Sequence, residues 1–224
     1  PFDIDAVREL ASRVAVSPPT VTGFYEWGAW VNGGAWIQTP DGKIDLLYRE
    51  VGHVAKAIAT VKTGFIDVDF LQQPPYGFVS ITYLAETAIC VALADPFGEV
   101  AAFKAQVADY PEALHTKWVV DALWMTEFSL MHARGYAARG DVLNTAGTLA
   151  RCAMLLTQAL YALNRMYFIN DKHAPADIAA FTHCPANFVE RLSAVLAMAG
   201  SDAATLMRSV GAVSTLAAEV AALR

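Results

Sequence analysis

From Pro111 to the last residue, apolar residues recur at the spacing of an α-helix, and this pattern limits the fold more than any other feature. Proline suits the first turn of a helix, so a long helix is expected to begin at Pro111. Gly140-Asp141 should end that helix and cap a second one, which runs to about Asn164. Further helices are expected at about 175–182, 186–199 and 202–222. Residues 111–224 therefore predict a helical bundle.

The first 110 residues carry a different pattern, in which short strands lie between helices. Trp30–Gln38 and Lys43–Arg49 have the composition of β-strands, and the turn-forming Pro40-Asp41-Gly42 between them predicts a hairpin. Another strand is expected at Phe65–Leu71, and helices are expected at about 6–16, 51–62, 77–93 and up to about residue 108. The predicted fold class is therefore α+β, with a mixed sheet and helices in residues 1–110 and the bundle in residues 111–224.

The chain is poor in charge for a soluble domain. Of its 224 residues, 55% are hydrophobic and only 17% are charged, whereas soluble domains usually carry about 25% charged residues. This low fraction of charged residues predicts either that the helices share a large core or that another chain covers an apolar face, as in a homodimer.

The composition also excludes several classes of partner. No apolar run reaches the roughly 18 residues of a membrane span, and charged residues interrupt the first ten positions, so neither a membrane partner nor a signal peptide is expected. The three widely spaced cysteines are typical of a reducing compartment, which predicts a cytoplasmic protein. A net charge of −6 and a pI near 5.3 argue against a nucleic-acid partner.

One carboxylate in the predicted hairpin is a candidate catalytic residue. Asp45 stands in the middle of the second strand, where period-two alternation puts it on the face opposite that of Ile44. A mid-strand carboxylate is costly to bury unless a cation or a metal offsets its desolvation. Two interpretations stay open: an ion pair with Lys43 or Arg49 at a half-exposed sheet face, or a catalytic carboxylate.

A polar stripe runs along the second helix of the bundle. Its members are Asn144, Thr148, Arg151 and Gln158. Their spacing places all of them on one helical face. Arg151 has apolar neighbours in the sequence, so we expect it to be buried and to need an anion. Glu127 in the preceding helix is an available partner, and a phosphate or a substrate group is the alternative.

Two lysines are weaker candidates for phosphate binding: Lys172, in the loop between bundle helices, and Lys104. The sequence has no HExxH motif, nucleophile elbow, P-loop or dinucleotide fingerprint, so hydrolase and dehydrogenase chemistry has no support. Arg165 and His173 are separated by seven residues. That spacing is slightly too long for the Arg and His pair of some helical ribonucleases, and the acidic net charge also disfavours that class.

A set of short segments, spread over most of residues 2–175, shares its residues with one known family. In the front half these are Val31-Asn32-Gly33-Gly34-Ala35-Trp36, Asp41-Gly42-Lys43-Ile44-Asp45-Leu46-Leu47-Tyr48-Arg49, Pro75-Tyr76-Gly77-Phe78, Tyr83-Leu84-Ala85-Glu86 and Asp95-Pro96-Phe97-Gly98 with Lys104. In the bundle they are Glu127-Phe128-Ser129-Leu130, Ala138-Arg139-Gly140-Asp141, Ala162-Leu163-Asn164 and Asn170-Asp171-Lys172. As a set, these segments resemble bacterial nucleotidyltransferase-fold proteins related to the aminoglycoside nucleotidyltransferases.

The resemblance implies transfer of a nucleoside monophosphate from a nucleoside triphosphate, expected to be ATP, to a hydroxyl of a small acceptor such as an aminoglycoside-like molecule. In such proteins an Asp-x-Asp pair, which follows a Gly-Ser turn, holds Mg²⁺ on the triphosphate. The likeness places Asp45 at the position of the third carboxylate, which binds metal or takes the acceptor's proton. The phosphate-binding residues are then Lys172, Arg151 and Lys104, and the acceptor-binding residues are Glu127 and Asn144.

The chain departs from this family at the metal site. It has no Gly-Ser turn followed by an Asp-x-Asp strand, and Lys43 stands where the first aspartate belongs. Asp3-Ile4-Asp5 matches the Asp-x-Asp pattern, but a helix follows it directly, so a helix cap is the better explanation. We expect the turn and the aspartate pair to lie upstream of Pro1, so that this chain alone transfers no nucleotide. The alternative is a non-catalytic protein that binds a nucleotide or another ligand and acts through a partner.

Overall fold

The computed structural model describes residues 2–28, 30 and 32–224. The chain has the predicted α+β fold, with a three-stranded sheet, a two-stranded sheet and a helical C-terminal region. The packing divides the chain into two compact units, Pro1–Ala57 and Ile58–Arg224. That division differs from the domain boundary near residue 110, which stays a prediction.

The first unit packs one helix against a small sheet. Helix α1 (Ile4–Val14) begins after Asp3, whose carboxylate accepts a hydrogen bond of 3.0 Å from the backbone N–H of Ala6. This contact confirms that Asp3-Ile4-Asp5 is a helix cap. The buried core between helix and sheet consists of Ala11, Ala35 and Ile37.

The sheet of the first unit is antiparallel throughout, in the order β1-β2-β3. Its strands are β1 (Thr20–Val21), β2 (Gly34–Thr39) and β3 (Gly42–Leu47). Strands β2 and β3 form the predicted hairpin, in which Trp36 lies opposite Asp45. Residues on both faces of β3 are exposed, so the buried position considered for Asp45 is not observed.

Two glycines are required where β2 begins. A Cβ atom on Gly33 would lie 2.1 Å from the carbonyl oxygen of Gly23, and the φ angle of Gly33 is +145°. A Cβ atom on Gly34 would lie 2.3 Å from the carbonyl oxygen of Leu46. Because these backbones approach so closely, only glycine fits at either position.

The second unit begins with short elements. Helix α2 (Val51–Lys62) has the predicted bounds and crosses the division between the units. The elements that follow are β4 (Val68–Asp69), β5 (Phe78–Val79), α3 (Ile81–Ile89) and α4 (Glu99–Val107). A helix was expected at about 77–93, but α3 is shorter at both ends: β5 pairs with β4 in antiparallel register at its start, and the helix ends at Ile89.

The bundle follows the sequence prediction closely. Its helices are α5 (Glu112–Ala138), α6 (Val142–Leu163), α7 (Ala174–Ala180), α8 (Phe188–Ala197) and α9 (Ala203–Ala221). Asp141 caps α6 as predicted, since its carboxylate accepts a hydrogen bond of 3.1 Å from the Asn144 backbone N–H. Arg191 of α8 pairs with Glu219 of α9 through two bonds of 2.6 and 2.7 Å.

None of the helices in the described residues combines the length and the apolar character that crossing a membrane requires.

Candidate functional site

A cavity of about 280 Å³ lies in the second unit, against one face of α6. Helix α6 contributes Gly147, Ala150, Arg151, Met154, Leu155 and Gln158, and Trp118 comes from α5. The segment that begins in β4 and ends in β5 supplies Val68, Phe70, Pro75, Tyr76 and Val79. The α6 residues recur at helical spacing, so a single stripe of that helix forms one wall.

The cavity has a buried end and an exposed end. Val79, Trp118 and Gln158 are at most 6% exposed. Phe70 and Arg151, in contrast, are exposed to solvent. A ligand that entered past the exposed residues would therefore reach a pocket floor that is shielded from water.

The loop wall is held in place by Tyr76. Its ring packs against that of Phe168 with the centroids 4.8 Å apart. Burial raises the pKa of Tyr76, a hydrogen bond with Thr157 acts in the opposite direction, and the negative charge of Asp171 adds to the rise. Tyr76 is therefore a neutral hydroxyl at neutral pH and contributes no charge to the cavity.

Two side chains at the buried end carry polar atoms without partners. The indole Nε1 of Trp118 and both amide atoms of Gln158 are buried and make no hydrogen bond. Leaving such a group unpaired costs about 1–3 kcal/mol, and native proteins rarely tolerate it without a reason. Because both side chains line one cavity, the reason we favour is a ligand that supplies the missing partners.

Arg151 lies at the exposed end of this cavity. We expected it to be buried and to need an anion, with Glu127 as one of two candidate partners; the burial was wrong, and the ion pair with Glu127 is not formed among the described residues. Its side chain is exposed, its Nε donates a 3.3 Å hydrogen bond to the Ser129 Oγ, and among the described residues no carboxylate pairs with it. Position 151 faces the rim of the cavity rather than the bundle core, which is why the apolar sequence around it did not bury it.

The two candidate lysines lie outside the cavity lining. The Nζ of Lys104 donates hydrogen bonds to the carbonyls of Ala88 and Cys90 at 2.8 and 2.7 Å, with a third, longer contact to that of Thr87. These carbonyls belong to the last turn of α3, so Lys104 caps that helix. Lys172 is exposed in its loop, where its backbone N–H donates to the Asn170 Oδ1 at 3.0 Å.

The two residues predicted to bind the acceptor molecule, Glu127 and Asn144, do not line the cavity. Glu127 is exposed on α5, and Asn144 is exposed in the first turn of α6. The Nδ2 of Asn144 donates a 2.7 Å hydrogen bond to the Oδ2 of Asp141, so this amide belongs to the helix cap.

Asp45 forms an ion pair with Lys43, with 3.1 Å between carboxylate oxygen and Nζ, and its side chain is 43% exposed. Of the two basic residues that the sequence offered as partners, Lys43 therefore forms the ion pair with Asp45. Within the described ranges 2–28, 30 and 32–224, no three His, Cys, Asp or Glu residues come together as a metal site. One exposed carboxylate beside an ammonium group does not by itself form a Mg²⁺ site.

A second cavity of about 580 Å³ collects Arg165, His173 and Asp177, together with aromatic side chains. Arg165 pairs with Glu112 at 2.7 Å, and Asp177 accepts a 2.6 Å hydrogen bond from the hydroxyl of Tyr161. Because these charged groups already have protein partners, this cavity is a weaker candidate than the one beside α6.

Part of the chain matches the model of a known protein family. The model of a domain of unknown function, DUF4037, matches residues 78–174. No curated protein and no solved structure matches the chain. The matched region includes Trp118, Arg151 and Gln158, but less than half of the chain.

Proposed function

We propose that this chain binds a small molecule in the cavity beside α6, and that the bound molecule is the acceptor for nucleotidyl transfer. The observation that carries the binding step is the pair of buried, unpartnered polar side chains, Trp118 and Gln158, that share one cavity. The transfer chemistry rests on the resemblance of the segments around Asp45 and in the bundle to nucleotidyltransferases.

The size of the cavity favours the acceptor over the nucleotide as its occupant. Pockets for drug-sized ligands measure about 300–1,000 Å³, and this one measures about 280 Å³. A single ring with its substituents would fill it, whereas a nucleoside triphosphate is larger. The nucleotide would accordingly lie outside the cavity, with Lys172 as the proposed phosphate contact, since Lys104 already caps a helix.

Asp45 is the proposed catalytic carboxylate, and its exposure leaves it accessible to a substrate. The Mg²⁺ of this chemistry would stabilise the charge on the triphosphate, but Asp45 alone does not hold it. We therefore expect no nucleotide transfer by this chain on its own. Incubation with labelled ATP, Mg²⁺ and a panel of amino-alcohol acceptors checks this, and release of labelled pyrophosphate would contradict it.

The binding step is tested by a fragment screen followed by ligand-observed NMR. Fragments that bind in the cavity should lose their saturation-transfer signal with the Gln158→Met variant. The matched control is Gln106→Met, since Gln106 is exposed on α4 and bonds only to its own helix. Signals that survive Gln158→Met, or that vanish equally with Gln106→Met, would show that the cavity is not the site.

The second candidate is a non-catalytic ligand-binding protein. It is favoured if no transfer occurs even after addition of a chain that carries a Gly-Ser turn followed by an Asp-x-Asp pair. The observation behind this alternative is that Asp45 pairs with Lys43 and belongs to no cluster of three or more potential metal ligands in the part of the chain that the structure describes. The fragment screen gives the same result for both candidates, and only the transfer assay separates them.

A further inference from the structure

We propose that the ligand of the cavity beside α6 is a small acid, with an oxyanion at the Arg151 end and a hydrogen-bond acceptor at the buried end. This inference rests on the proposed function, because it names the chemistry of the molecule that the same cavity binds. The proposed ligand also differs in charge from the cationic, aminoglycoside-like acceptor that the resemblance implies.

The charge of the lining supports an acid. Among the described residues that line the cavity, Arg151 carries the single full charge, and no aspartate or glutamate is present. Asp171, whose charge acts on Tyr76, lies outside the lining. A ligand with an ammonium group would meet a like charge and find no carboxylate, whereas a carboxylate or a phosphate would find an unpaired guanidinium.

The position of Arg151 supports recognition of an oxyanion. Its Nε donates to the Oγ of Ser129, whose own hydroxyl donates to the carbonyl oxygen of Met125 at 2.7 Å. This chain of hydrogen bonds anchors the inner nitrogen of the guanidinium to α5. The two terminal nitrogens keep their N–H groups, which have the geometry to bind both oxygens of a carboxylate or a phosphate.

The buried end requires a different group. The Nε1 of Trp118 can only donate a hydrogen bond, so the ligand must present an acceptor to it. The amide of Gln158 both donates and accepts, and both of its atoms lack partners. A carboxamide satisfies all three atoms, because its carbonyl oxygen accepts and its amide nitrogen donates.

The middle of the cavity is apolar. Met154 and Leu155 line the cavity and lie on α6 between Arg151 and Gln158. An aromatic ring with substituents at opposite positions has the matching order of polar, apolar and polar parts. Three compounds with one common body therefore test the charge directly: 4-carbamoylbenzoate (anionic), benzene-1,4-dicarboxamide (neutral) and 4-(aminomethyl)benzamide (cationic).

Isothermal titration calorimetry with these probes should show the order anion, then neutral, then cation in affinity. The Arg151→Gln variant should weaken binding of the anion by about 10- to 100-fold and leave the neutral probe nearly unchanged. The control Arg134→Gln removes an exposed arginine that bonds to Ser214, and it should change neither. Adding 4-carbamoylphenyl phosphate identifies the source of the oxyanion, because the tighter of the two acids shows whether a carboxylate or a phosphate is preferred.

The outcomes separate this inference from the proposed function. If the neutral or the cationic probe binds best and Gln158→Met abolishes its binding, the cavity is a ligand site and the inference about charge is wrong. If the anion binds equally well to Arg151→Gln, the charge inference is also overturned. If no probe binds in a manner that depends on Gln158, both proposals fail. Circular dichroism of each variant confirms that the fold is intact.

Discussion

Replacing Gln158 by methionine should make the protein more stable while it removes a ligand contact. Gln158 is 5% exposed, and both of its side-chain polar atoms lack partners. Methionine has nearly the same length and flexibility but no polar group to desolvate, and Trp118 and Met154 beside the site are compatible with a thioether. The substitution therefore relieves a burial penalty rather than creating a cavity.

The expected gain is about 1–3 kcal/mol in the free energy of unfolding, which is the penalty of an unsatisfied buried polar group. For a chain of this size each kcal/mol raises Tm by about 2–4 °C, so Gln158→Met should raise Tm by about 2–12 °C. Urea unfolding followed by far-UV circular dichroism gives the free energy, and calorimetry gives Tm. Gln106→Met is the matched control, and we expect it to stay within about 0.5 kcal/mol of the parent chain.

Two results would refute this reasoning. A loss of stability would show that Gln158 makes hydrogen bonds in the folded protein. A change no larger than that of Gln106→Met would show that its amide is already satisfied by water in the cavity, and the argument for a ligand from unpaired atoms would then fail. Addition of a cavity-binding fragment should stabilise the parent chain and leave Gln158→Met unaffected.

Three further changes have expected outcomes. Burial raises the pKa of the Cys152 thiol to about 12, so iodoacetamide at pH 8 should label the partly exposed Cys90 and leave the buried Cys152 unmodified in the native protein, as mass spectrometry would show; equal labelling of these two would contradict this. Because the folded pKa is raised above 9.0, the part of stability that this thiol contributes is present below about pH 9 and is lost as the pH approaches 12. Gly64→Ala should lower the free energy of unfolding by at least about 1 kcal/mol, as urea unfolding would show. The φ angle of Gly64 is +87°, and a Cβ there would lie 2.8 Å from the Ala113 carbonyl oxygen. An unchanged free energy of unfolding would mean that this turn can shift. Tyr161→Phe should cost about 1–2 kcal/mol, because it removes the hydroxyl that donates to Asp177 at 2.6 Å, and an unchanged urea midpoint would show that water replaces it.

The helical half of the fold could be predicted from the sequence because its signals are local. Pro111 and Asp141 mark the start of α5 and α6, and the apolar residues between them keep one period over several turns. The bounds of α2 follow from the same kind of pattern. The short strands β4 and β5 were harder to predict, since their pairing joins residues about ten positions apart and each strand has only two residues.

The candidate site could be predicted only in part. The helical spacing of Arg151 and Gln158 places them on one face, and the structure confirms that both line a single cavity. The sequence did not predict that Gln158 is buried while Arg151 is exposed, because this depends on how residues 70–77 lie over that face. The sequence analysis did not single out Trp118, which belongs to the apolar pattern of α5, and its indole N–H was missed; a tryptophan that packs beside a polar stripe is the signal that could have identified it.

Lys104 and Lys43 show which side-chain partners the sequence can predict and which it cannot. Lys104 was a candidate for phosphate binding because of its charge and the family resemblance, but its partners are the last carbonyls of α3, and no motif in the sequence predicts that contact. Lys43 was considered as a partner of Asp45, and the structure shows that ion pair. Contacts between neighbours on one strand can be predicted from their spacing. A contact between a lysine and the end of a helix fourteen residues away in sequence can be predicted only once the fold is known.

Strand β3 has one more consequence, for how the protein behaves in solution. Among the described residues no strand pairs with its outer edge, and several of its side chains, Ile44 and Leu47 among them, are exposed. Backbone donors and acceptors along such an edge can template the addition of another extended chain. If two copies met there in antiparallel register about Ile44, Lys43 of each would face Asp45 of the other, so charge would favour the pairing instead of opposing it. Concentrated samples of this protein should therefore self-associate more readily at low salt than at high salt.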